Sequence, residues 1–588
     1  MKKKMAYERL FNIEEEESIG SVNKVDSYSV TVSVVDEGNL QRINVNGFVI
    51  IHTSNANVRL IGRIDRVLSS EANFEPLDDD EDEYVVFHDN VVHINALGTL
   101  KGPGGGRERA TFSRAVETLP EIGAKCFLLI GERLSAFTGL IADETTSVEN
   151  PLTLGTYTMA QDANAILDGD AFFQRHAMIV GSTGSGKSWT TAQIIEQVAM
   201  LNSSNMVVFD LHGEYSPLSG HPNIKFLKIV GPGDLQSSDE NLLYLPYWLL
   251  GYEDMLALIL DRSDENAPNQ SMAFSNTVIE AKKQVLQEEG MEEELATFTI
   301  DSPVAYRIND VISKLKELNT QKVTGANNRE VNGPFHGKFN RFIPRLESKI
   351  SDRRYGFLFN LRDNQLSSNY LDQLVDKLMK PTGQGNEGVK IIDFSEVPSD
   401  ILPIVISLVA RLIFQIQQWS IYEERHPIAL VCDEAHLYIP SRNLADAAGI
   451  RALAHFERIA KEGRKYGLSL IIVSQRPSEL NTTIMSQCSN VIALRLANQA
   501  DKNAVCNLLP ENLGGIQDIL PTLGIGEGLV VGDACLLPSR IKIREPHLKP
   551  NSESVRFWRT WNESVVTQNL NNALNNFRRQ TISSRVNV

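Results

Sequence analysis

The sequence predicts an α/β protein with a mostly parallel β-sheet and crossover helices, preceded by a small β-barrel and interrupted by a helical insertion. Three observations predict this architecture. An apolar run, a glycine-rich loop and a helical pattern follow one another within His176–Thr191. Apolar runs alternate with helical patterns from residue 386 to 545, which is typical of βαβ units. Before residue 150, short β-branched runs follow one another without helices between them.

These changes of pattern divide the chain into five predicted regions. The regions are 1–150, an N-terminal β-barrel; 151–240, the first part of the core; 241–385, the helical insertion; 386–545, the second part of the core; and 546–588, a C-terminal strap or tail. In the barrel, the acidic run Glu75–Glu83 is expected to be a solvated loop between two strands. In the insertion, the polar stretch Thr324–Lys338 is expected to be a mobile loop.

The net charge and the cysteine content exclude some classes of protein. The net charge is −17, from 57 Lys and Arg against 74 Asp and Glu, which argues against nucleic-acid coating by the whole surface but leaves room for a local basic channel. The five cysteines form no CxxC pair, so neither a disulfide framework nor a zinc site is expected.

The longest apolar run, Ile401–Ile416, is interrupted by polar residues and falls short of the roughly 18–20 residues that cross a bilayer. With no apolar signal segment at the start, we expect a cytoplasmic protein without a membrane partner.

The central motif is the loop between the apolar strand Ala177–Val180 and the helix that follows it. Gly181–Ser188 matches G-x-x-x-x-G-K-[ST], in which backbone N–H groups surround phosphate oxygens at a helix N-terminus. Lys187 would reach the β- and γ-phosphates, and the Ser188 hydroxyl would bind Mg²⁺. A flexible Gly/Ser linker is the alternative, but both flanks of the loop are apolar and periodic. The predicted nucleotide-binding residues are Gly181, Ser182, Thr183, Gly184, Ser185, Gly186, Lys187, Ser188 and Trp189.

A second motif places two carboxylates at the end of another apolar strand, Ile428–Cys432. In P-loop enzymes a strand-end aspartate holds Mg²⁺, and a neighbouring carboxylate activates the attacking water. Asp433 is therefore the predicted magnesium residue and Glu434 the predicted catalytic base. Glu214, near the end of an earlier strand, is the alternative base.

Other polar side chains could complete the site. Gln475 follows the strand LSLIIVS and could contact the γ-phosphate, although it could also simply end the strand. A guanidinium can neutralise the charge that develops during phosphoryl transfer, often from a neighbouring subunit. The candidate arginines are Arg175, Arg458 and Arg464, of which the last two could instead lie on a solvated helix face. His212 and His436 do not have the spacing of a compact metal site.

Five stretches of the chain, in the same order, closely resemble the HerA–FtsK superfamily and bacterial HerA in particular: HAMIVGSTGSGKS, VVFDLHGEY, ALVCDEAHLYIPS, RIAKEGRKYGLSLIIVSQRPSEL and GIGEGLVVG. The resemblance spans nearly the whole chain. It implies a RecA-like core, and hexameric rings that use ATP to pump double-stranded DNA through a central channel. The residues that it assigns are Lys187 and Ser188 in the P-loop, Asp433 and Glu434 as metal and water-activating carboxylates, Gln475 as sensor, and Arg175 and Arg464 in arginine-bearing motifs.

The resemblance also implies partners. The sequence contains no nuclease motif, so any DNA cutting would need a second protein. HerA-like ATPases work with NurA-type nucleases in DNA repair. Related bacterial forms work with sirtuin-like, NAD-consuming effectors or nuclease effectors in anti-phage defence. The N-terminal barrel is the expected docking surface for such a partner.

Two functions remain open at this point. The first is an ATP-driven DNA translocase, which needs basic residues along the DNA path. The possible contributors are Lys322, Arg329, Lys338 and Arg341. The second is a ring-shaped scaffold that assembles and switches an effector under the control of ATP, which the acidic net charge favours. Salt-sensitive stimulation of ATP hydrolysis by DNA would distinguish the motor from the scaffold.

Overall fold

The architecture was determined from a computed structural model. It describes residues 7–76, 84–103, 109–145, 149–324, 329–383, 385–509, 515–552, 555–563 and 570–581. The predicted acidic loop at Glu75–Glu83 and the predicted mobile loop at Thr324–Lys338 lie partly outside these ranges, at residues 77–83 and 325–328.

The strands, in chain order, are β1 Gly20–Val25, β2 Ser29–Ser33, β3 Phe48–His52, β4 Val58–Pro76, β5 Tyr84–Lys101, β6 Thr111–Ser113, β7 Lys125–Leu128, β8 Leu152–Tyr157, β9 Ala160–Leu167, β10 Ala177–Val180, β11 Met206–Asp210, β12 Ile224–Ile229, β13 Leu242–Leu243, β14 Lys322–Thr324, β15 Glu330–Asn332, β16 Val389–Asp393, β17 Ile428–Cys432, β18 Leu468–Ser474, β19 Asn490–Leu494, β20 Glu527–Gly532 and β21 Ser539–Ile543.

The α-helices, in chain order, are α1 Glu37–Leu40, α2 Gly131–Thr145, α3 Gly169–Gln174, α4 Lys187–Ala199, α5 Tyr252–Ile259, α6 Ala267–Glu288, α7 Glu292–Thr297, α8 Ile308–Thr320, α9 Phe342–Ser351, α10 Gly356–Phe359, α11 Asn369–Met379, α12 Leu402–Trp419, α13 Ala447–Glu462, α14 Thr482–Met485, α15 Gln499–Cys506, α16 Phe557–Asn562 and α17 Asn571–Arg579.

The chain forms two compact units, each assembled from separate segments. The first unit consists of Met1–Ile194, Ser474–Ser478 and Met485–His547. The second consists of Ile195–Val473, Glu479–Ile484 and Leu548–Val588. Both units contain part of the predicted P-loop core.

The first unit begins with a closed antiparallel barrel of six strands. The strands pair in the order β1–β2–β5–β4–β3–β7, and β7 pairs again with β1. Alternate side chains such as Val30 and Val32 on β2 are buried in the barrel core, as the period of two along a strand requires. Gly62 on β4 allows close packing, because a Cβ there would lie 2.3 Å from Cγ2 of Ile94. The predicted barrel is therefore confirmed.

The first unit also contains a mixed sheet. Strand β10 pairs in parallel with β19, and β20, β21, β8 and β9 extend the sheet by antiparallel pairs. The hairpin of β8 and β9 lies immediately before the P-loop strand in sequence, where the pattern had suggested only a βαβ unit.

The second unit contains a parallel sheet of six strands. Their order is β13–β12–β16–β11–β17–β18, and every neighbouring pair is parallel. All residues of β11, β16 and β17 are buried, because helices cover both faces of such sheets. Helices α12 and α13 provide the crossovers to β17 and β18. Together with the P-loop, this arrangement confirms the predicted α/β, RecA-like fold with a mostly parallel sheet.

The insertion between β13 and β16 is mostly helical, from α5 to α11. It also contains an antiparallel hairpin, β14–β15, where the sequence had predicted a mobile loop. The six strand residues are all exposed, so they lack the apolar alternation that identifies a half-buried strand. The boundaries of the five predicted regions remain a prediction.

Helix α12 is long and apolar enough to cross a membrane by length and composition alone. However, 56% of that stretch is buried inside the protein, and both Pro403 and Arg411 lie within it. These are the properties of a core helix, so α12 gives little support to a membrane span.

Candidate nucleotide site

The P-loop is built at the end of a fully buried strand in the first unit. Strand β10 pairs in parallel with β19 from Ala177–Asn490 to Val180–Ala493. Helix α4 begins at Lys187, so the loop leads directly into a helix N-terminus. The structure thus has the strand–loop–helix context that the motif requires, and it brings residues 181–188 together as one loop.

Three glycines of the loop are needed for its shape. Gly184 and Gly186 have φ angles of +72° and +109°, which L-residues with a side chain rarely adopt. At Gly181, a Cβ would lie 2.5 Å from Oγ of Ser185 and 2.7 Å from Cβ of Leu494. A side chain at any of these positions would therefore change the path of the backbone around the phosphate site.

Backbone hydrogen bonds attach the loop to the neighbouring strand ends. The N–H of Ser182 donates to the carbonyl of Arg495 at 2.8 Å, and the N–H of Gly181 donates to the carbonyl of Ser474 at 3.4 Å. Within the loop, the N–H of Ser185 donates to the carbonyl of Ser182 at 3.1 Å. The Lys187 side chain is 8% exposed, whereas Ser188 and Trp189 are half-buried.

Gln475 lies beside the P-loop. The Thr183 hydroxyl donates to Oε1 of Gln475 over 2.7 Å. A residue predicted to bind phosphate and the predicted sensor are therefore in direct contact within the first unit.

Sequence reasoning missed one structural partner of the P-loop, the turn before β20. The N–H of Gly526 donates to the carbonyl of Ser185 at 3.0 Å. A Cβ on Gly186 would lie 3.4 Å from the N and Cα of Gly526, so the two backbones are close. The only sequence signal for this turn is the closely spaced glycines of GIGEG.

The predicted carboxylates lie at the end of β17 in the second unit. Asp433 is 4% exposed, and the backbone of Glu434 is left-handed, with φ 43° and ψ 44°. Such a conformation in a residue with a side chain is strained and is found most often at functional sites. The Tyr438 hydroxyl donates to the Asp433 carbonyl at 3.0 Å, and Nδ1 of His436 lies 3.3 Å from Oε2 of Glu434. The first contact fixes the backbone of Asp433, and the second places the His436 ring beside the Glu434 carboxylate.

Asp210, at the end of β11, organises the turn that carries Glu214. Its carboxylate accepts hydrogen bonds from the N–H groups of His212, Glu214 and Tyr215, at 3.3, 3.0 and 2.9 Å. Asp210 therefore has a clear structural role. The side chain of Glu214 is half-buried, and Glu214 remains the alternative base.

Burial and neighbouring carboxylates raise the pKa values of two aspartates in the second unit, Asp433 and Asp210. Burial, and then the negative charges of Glu434, Asp210 and Glu214, raise the pKa of Asp433 well above its ordinary value. Burial, and then the charge of Asp393, raise the pKa of Asp210 to about 7. A divalent cation would relieve this repulsion, so Asp433 fits the predicted role of magnesium residue. Within the described ranges, no cluster of three or more His, Cys, Asp or Glu side chains could hold a metal ion. A magnesium site does not require such a cluster, because Mg²⁺ is usually bound through only one or two carboxylates.

The candidate arginines are all exposed. Arg175, just before β10 in the first unit, forms an ion pair with Asp533. Arg458, on α13 in the second unit, lies 5.1 Å above the ring of Phe414 and 3.5 Å from the carboxylate of Glu462. Arg464 follows shortly after α13. Their roles remain predictions, and exposure leaves the three guanidinium groups accessible to another subunit.

Comparison with known proteins supports the predicted resemblance. Residues 152–413 match the family described as the helicase HerA central domain, a stretch that includes the P-loop and ends before Asp433. The probable helicase MJ1565 of Methanocaldococcus jannaschii is 26% identical over 425 residues, which are 71% of each chain. The DNA double-strand break repair helicase HerA of Pyrococcus furiosus is 25% identical over 423 residues, covering 67% of this chain and 69% of that one. These matches confirm the resemblance to HerA and the prediction of a P-loop ATPase.

Two solved structures are similar at a coarser level. VirB4 of Thermoanaerobacter pseudethanolicus has a TM-score of 0.42 and 16% identity, covering 70% of this chain and 98% of that one. The plasmid coupling protein TrwB in complex with ADP and Mg²⁺ has a TM-score of 0.43 and 14% identity, covering 72% of this chain and 93% of that one. Similarity at this level adds nothing to the functional assignment.

Proposed function

We propose that the protein is an ATP-driven motor that moves double-stranded DNA, a proposal supported by the match of residues 152–413 to the helicase HerA central domain. The observation that carries the proposal is the P-loop at the end of β10, with its glycine geometry and its contact to Gln475. The carboxylates at the end of β17 supply the second group of residues that a P-loop ATPase needs.

The proposed chemistry divides among named residues. Backbone N–H groups of the P-loop and Lys187 bind the phosphates of ATP, and Ser188 and Asp433 would hold Mg²⁺. When bound, Mg²⁺ neutralises charge on the β- and γ-phosphates. Glu434 accepts the proton of the attacking water, and Gln475 responds to the γ-phosphate through Thr183.

The proposal includes a ring of identical subunits, most simply a hexamer. Arginine side chains that stabilise phosphoryl transfer are often supplied by a neighbouring subunit. Arg175, Arg458 and Arg464 have exposed side chains and belong to different segments of the chain. In a ring, one or more of them would complete the site of the adjacent copy.

The proposed DNA contacts lie on the insertion. Lys322 begins β14 and pairs with Glu330 at 3.5 Å, Arg329 immediately precedes β15, and both basic residues are exposed. Lys338 and Arg341 follow on either side of Phe339, which is fully buried and anchors the segment. Basic side chains on an otherwise acidic protein attract phosphates and make binding sensitive to salt. This local positive charge favours the motor despite the net charge of −17.

A second function is supported by that same net charge. In this alternative the ring is an ATP-controlled scaffold that assembles and switches an effector without moving DNA. With either function, we propose a cytoplasmic protein whose N-terminal barrel binds a partner nuclease or a sirtuin-like, NAD-consuming effector. Its biological role would be DNA end processing or anti-phage defence.

Displacement of a third strand from a DNA triplex tests the proposed translocation directly. We expect the wild type with MgATP to release the third strand from duplex DNA, and Glu434→Gln to bind the same DNA without releasing it. ATP hydrolysis without any strand release would reject the motor and leave the scaffold. Absence of both ATP binding and hydrolysis would reject the two functions together.

A further inference from the structure

The turn that precedes β20, residues Gly524–Glu527, is held in a fixed conformation. The Glu527 carboxylate accepts the N–H of Gly524 at 2.8 Å and the Nε–H of Arg540 at 3.2 Å. Gly526 has a φ angle of +69°, which favours glycine. Its carbonyl accepts the N–H of Ile543 on β21 at 2.9 Å. The turn is therefore attached to the sheet on both sides.

One peptide group of this turn fixes one peptide group of the P-loop. The N–H of Gly526 donates to the carbonyl of Ser185 at 3.0 Å. Because the peptide group is planar and trans, the N–H of Gly186 must point in the opposite direction to that carbonyl. The carbonyl is directed at the turn, so the Gly186 N–H is directed away from it. In a P-loop, such N–H groups bind the phosphate oxygens.

A lysine is attached to the other side of the same turn. Nζ of Lys542, on β21, donates to the carbonyl of Ile525 at 2.7 Å. That carbonyl belongs to the same peptide group as the N–H of Gly526. A charged donor makes a stronger hydrogen bond than a neutral one, and hydrogen bonds in a chain polarise one another. The ammonium group therefore strengthens the bond from Gly526 to Ser185.

We propose that Lys542 is a positioning residue of the nucleotide site, acting on the N–H of Gly186 through two peptide groups, Ile525–Gly526 and Ser185–Gly186. The proposal rests on the proposed function, because it assumes that the P-loop binds ATP. Lys542 does not touch the nucleotide in this scheme. It fixes the direction of one phosphate-binding N–H group before the nucleotide arrives.

The backbone of Gly186 explains why this support is needed. Glycine adopts positive and negative φ angles with similar ease, so the φ angle of +109° at Gly186 must be fixed by the surrounding structure and not by the residue itself. The nearest support is the turn itself, whose Gly526 N and Cα lie 3.4 Å from where a Gly186 Cβ would be. Loosening the turn would let the Ser185–Gly186 peptide rotate and would weaken phosphate binding.

The test uses the full chain with Lys542→Met, and with Lys542→Arg as the conservative variant. Lys502→Met is the matched control, since Lys502 lies in the same unit and its Nζ pairs with Asp518 at 2.7 Å, outside the turn. We expect Lys542→Met to raise both the calorimetric Kd for MgADP and the KM for MgATP by about 5-fold. The kcat should stay within about 2-fold of wild type, because the variant weakens ground-state and transition-state binding equally. Lys542→Arg is expected to restore both constants to within about 2-fold, and Lys502→Met to leave them unchanged.

A second variant pair tests the turn itself. Gly526→Ala and Gly467→Ala introduce a side chain at φ angles of +69° and +73°, and Gly467 lies in the second unit. Only Gly526→Ala is expected to weaken MgADP binding and to speed hydrogen exchange of the P-loop amides. The proposal is overturned if Lys542→Met binds MgADP as tightly as wild type. It is also overturned if Lys542→Met and Lys542→Arg lower the MgADP affinity by the same factor and lower the melting temperature by the same amount. A wild type that binds no MgADP would instead overturn the proposed function.

Discussion

Glu434 combines a left-handed backbone with a side chain held near His436, a geometry suited to a group that must face a reacting water. We expect Glu434→Gln to lower ATP turnover by at least about 100-fold, because an amide cannot accept the proton of the attacking water. Binding of MgADP should remain within about 3-fold of wild type, since the P-loop is unaltered. Phosphate release and calorimetry would measure the two effects.

Glu214→Gln is the matched control, because Glu214 is the alternative base. It should retain most of the turnover if Glu434 is the base. The opposite outcome, in which Glu434→Gln turns over ATP normally and Glu214→Gln does not, would transfer the catalytic role to Glu214.

Lys390, on β16, is a buried ammonium group without a carboxylate among its hydrogen-bond acceptors in the described residues. It is 2% exposed and donates to Oδ1 of Asn205 and the carbonyl of Gly388, both at 3.2 Å, and to the carbonyl of Lys380. Burial lowers the pKa of Lys390 to about 7, against an ordinary value of 10.5. Between these values the unfolded chain binds more protons than the folded one, so the free energy of unfolding should rise with pH.

Lys390→Met removes this titration. We expect the stability of the wild type relative to Lys390→Met to increase between pH 7 and 9, by up to ~1.4 kcal/mol per pH unit. Urea denaturation of both proteins at the two pH values would measure the change. Lys316→Met, at an exposed position on α8, is the control and should show no such difference. Parallel pH dependence of wild type and Lys390→Met would contradict the low pKa.

At the scale of elements, the hairpin β14–β15 contributes nothing to the core. All six strand residues are exposed, and Val323 and Val331 face each other across the pair while remaining 37% and 46% exposed. A two-stranded hairpin is only marginally stable by itself. Its presence is better explained by a binding role than by folding, which agrees with the basic side chains beside it.

We expect the double variant Lys322→Ala/Arg329→Ala to lose most of any DNA-stimulated ATP hydrolysis and to retain basal hydrolysis. Each lost phosphate contact should also reduce the salt dependence of DNA binding, by about 0.9 in the log–log slope. Lys314→Ala/Lys316→Ala on α8 is the control, since these lysines are exposed and ion-paired like Lys322 but lie outside the hairpin. DNA stimulation equal to wild type in the hairpin variant would exclude the hairpin from the DNA path.

Elements with strong local patterns were predictable from sequence. The motif and its apolar flank identified β10, the loop and α4. The apolar run that begins at Ile428 was predicted to be a strand ending in the two carboxylates, and β17 ends at Cys432, immediately before them. In these segments the hydrophobic period and the glycine and carboxylate positions are local properties, so no knowledge of the tertiary structure is needed.

Features that depend on distant pairing were not predictable. The contact of Gly526 with Ser185 joins residues more than 300 positions apart, and no local pattern indicates it. The β8–β9 hairpin and its pairing with β21 are likewise set by tertiary structure. The hairpin β14–β15 was missed for a different reason, because its exposed strands have no alternating apolar side chains.

At the scale of the whole molecule, charge distinguishes the two proposed functions. A net charge of −17 repels DNA from most of the surface, so binding must be confined to local basic segments. A motor requires that such a segment couple DNA binding to the nucleotide site. A scaffold requires no such coupling, and its ATP hydrolysis would not respond to DNA.

The most direct measurement is the rate of ATP hydrolysis by the wild type with and without duplex DNA across a salt series. A DNA motor should hydrolyse ATP several-fold faster with DNA, and added salt should remove the increase because it weakens phosphate contacts. Lys187→Ala, which lacks the P-loop lysine, should hydrolyse ATP under neither condition. Hydrolysis that proceeds at the same rate with and without DNA at every salt concentration would contradict the proposed motor.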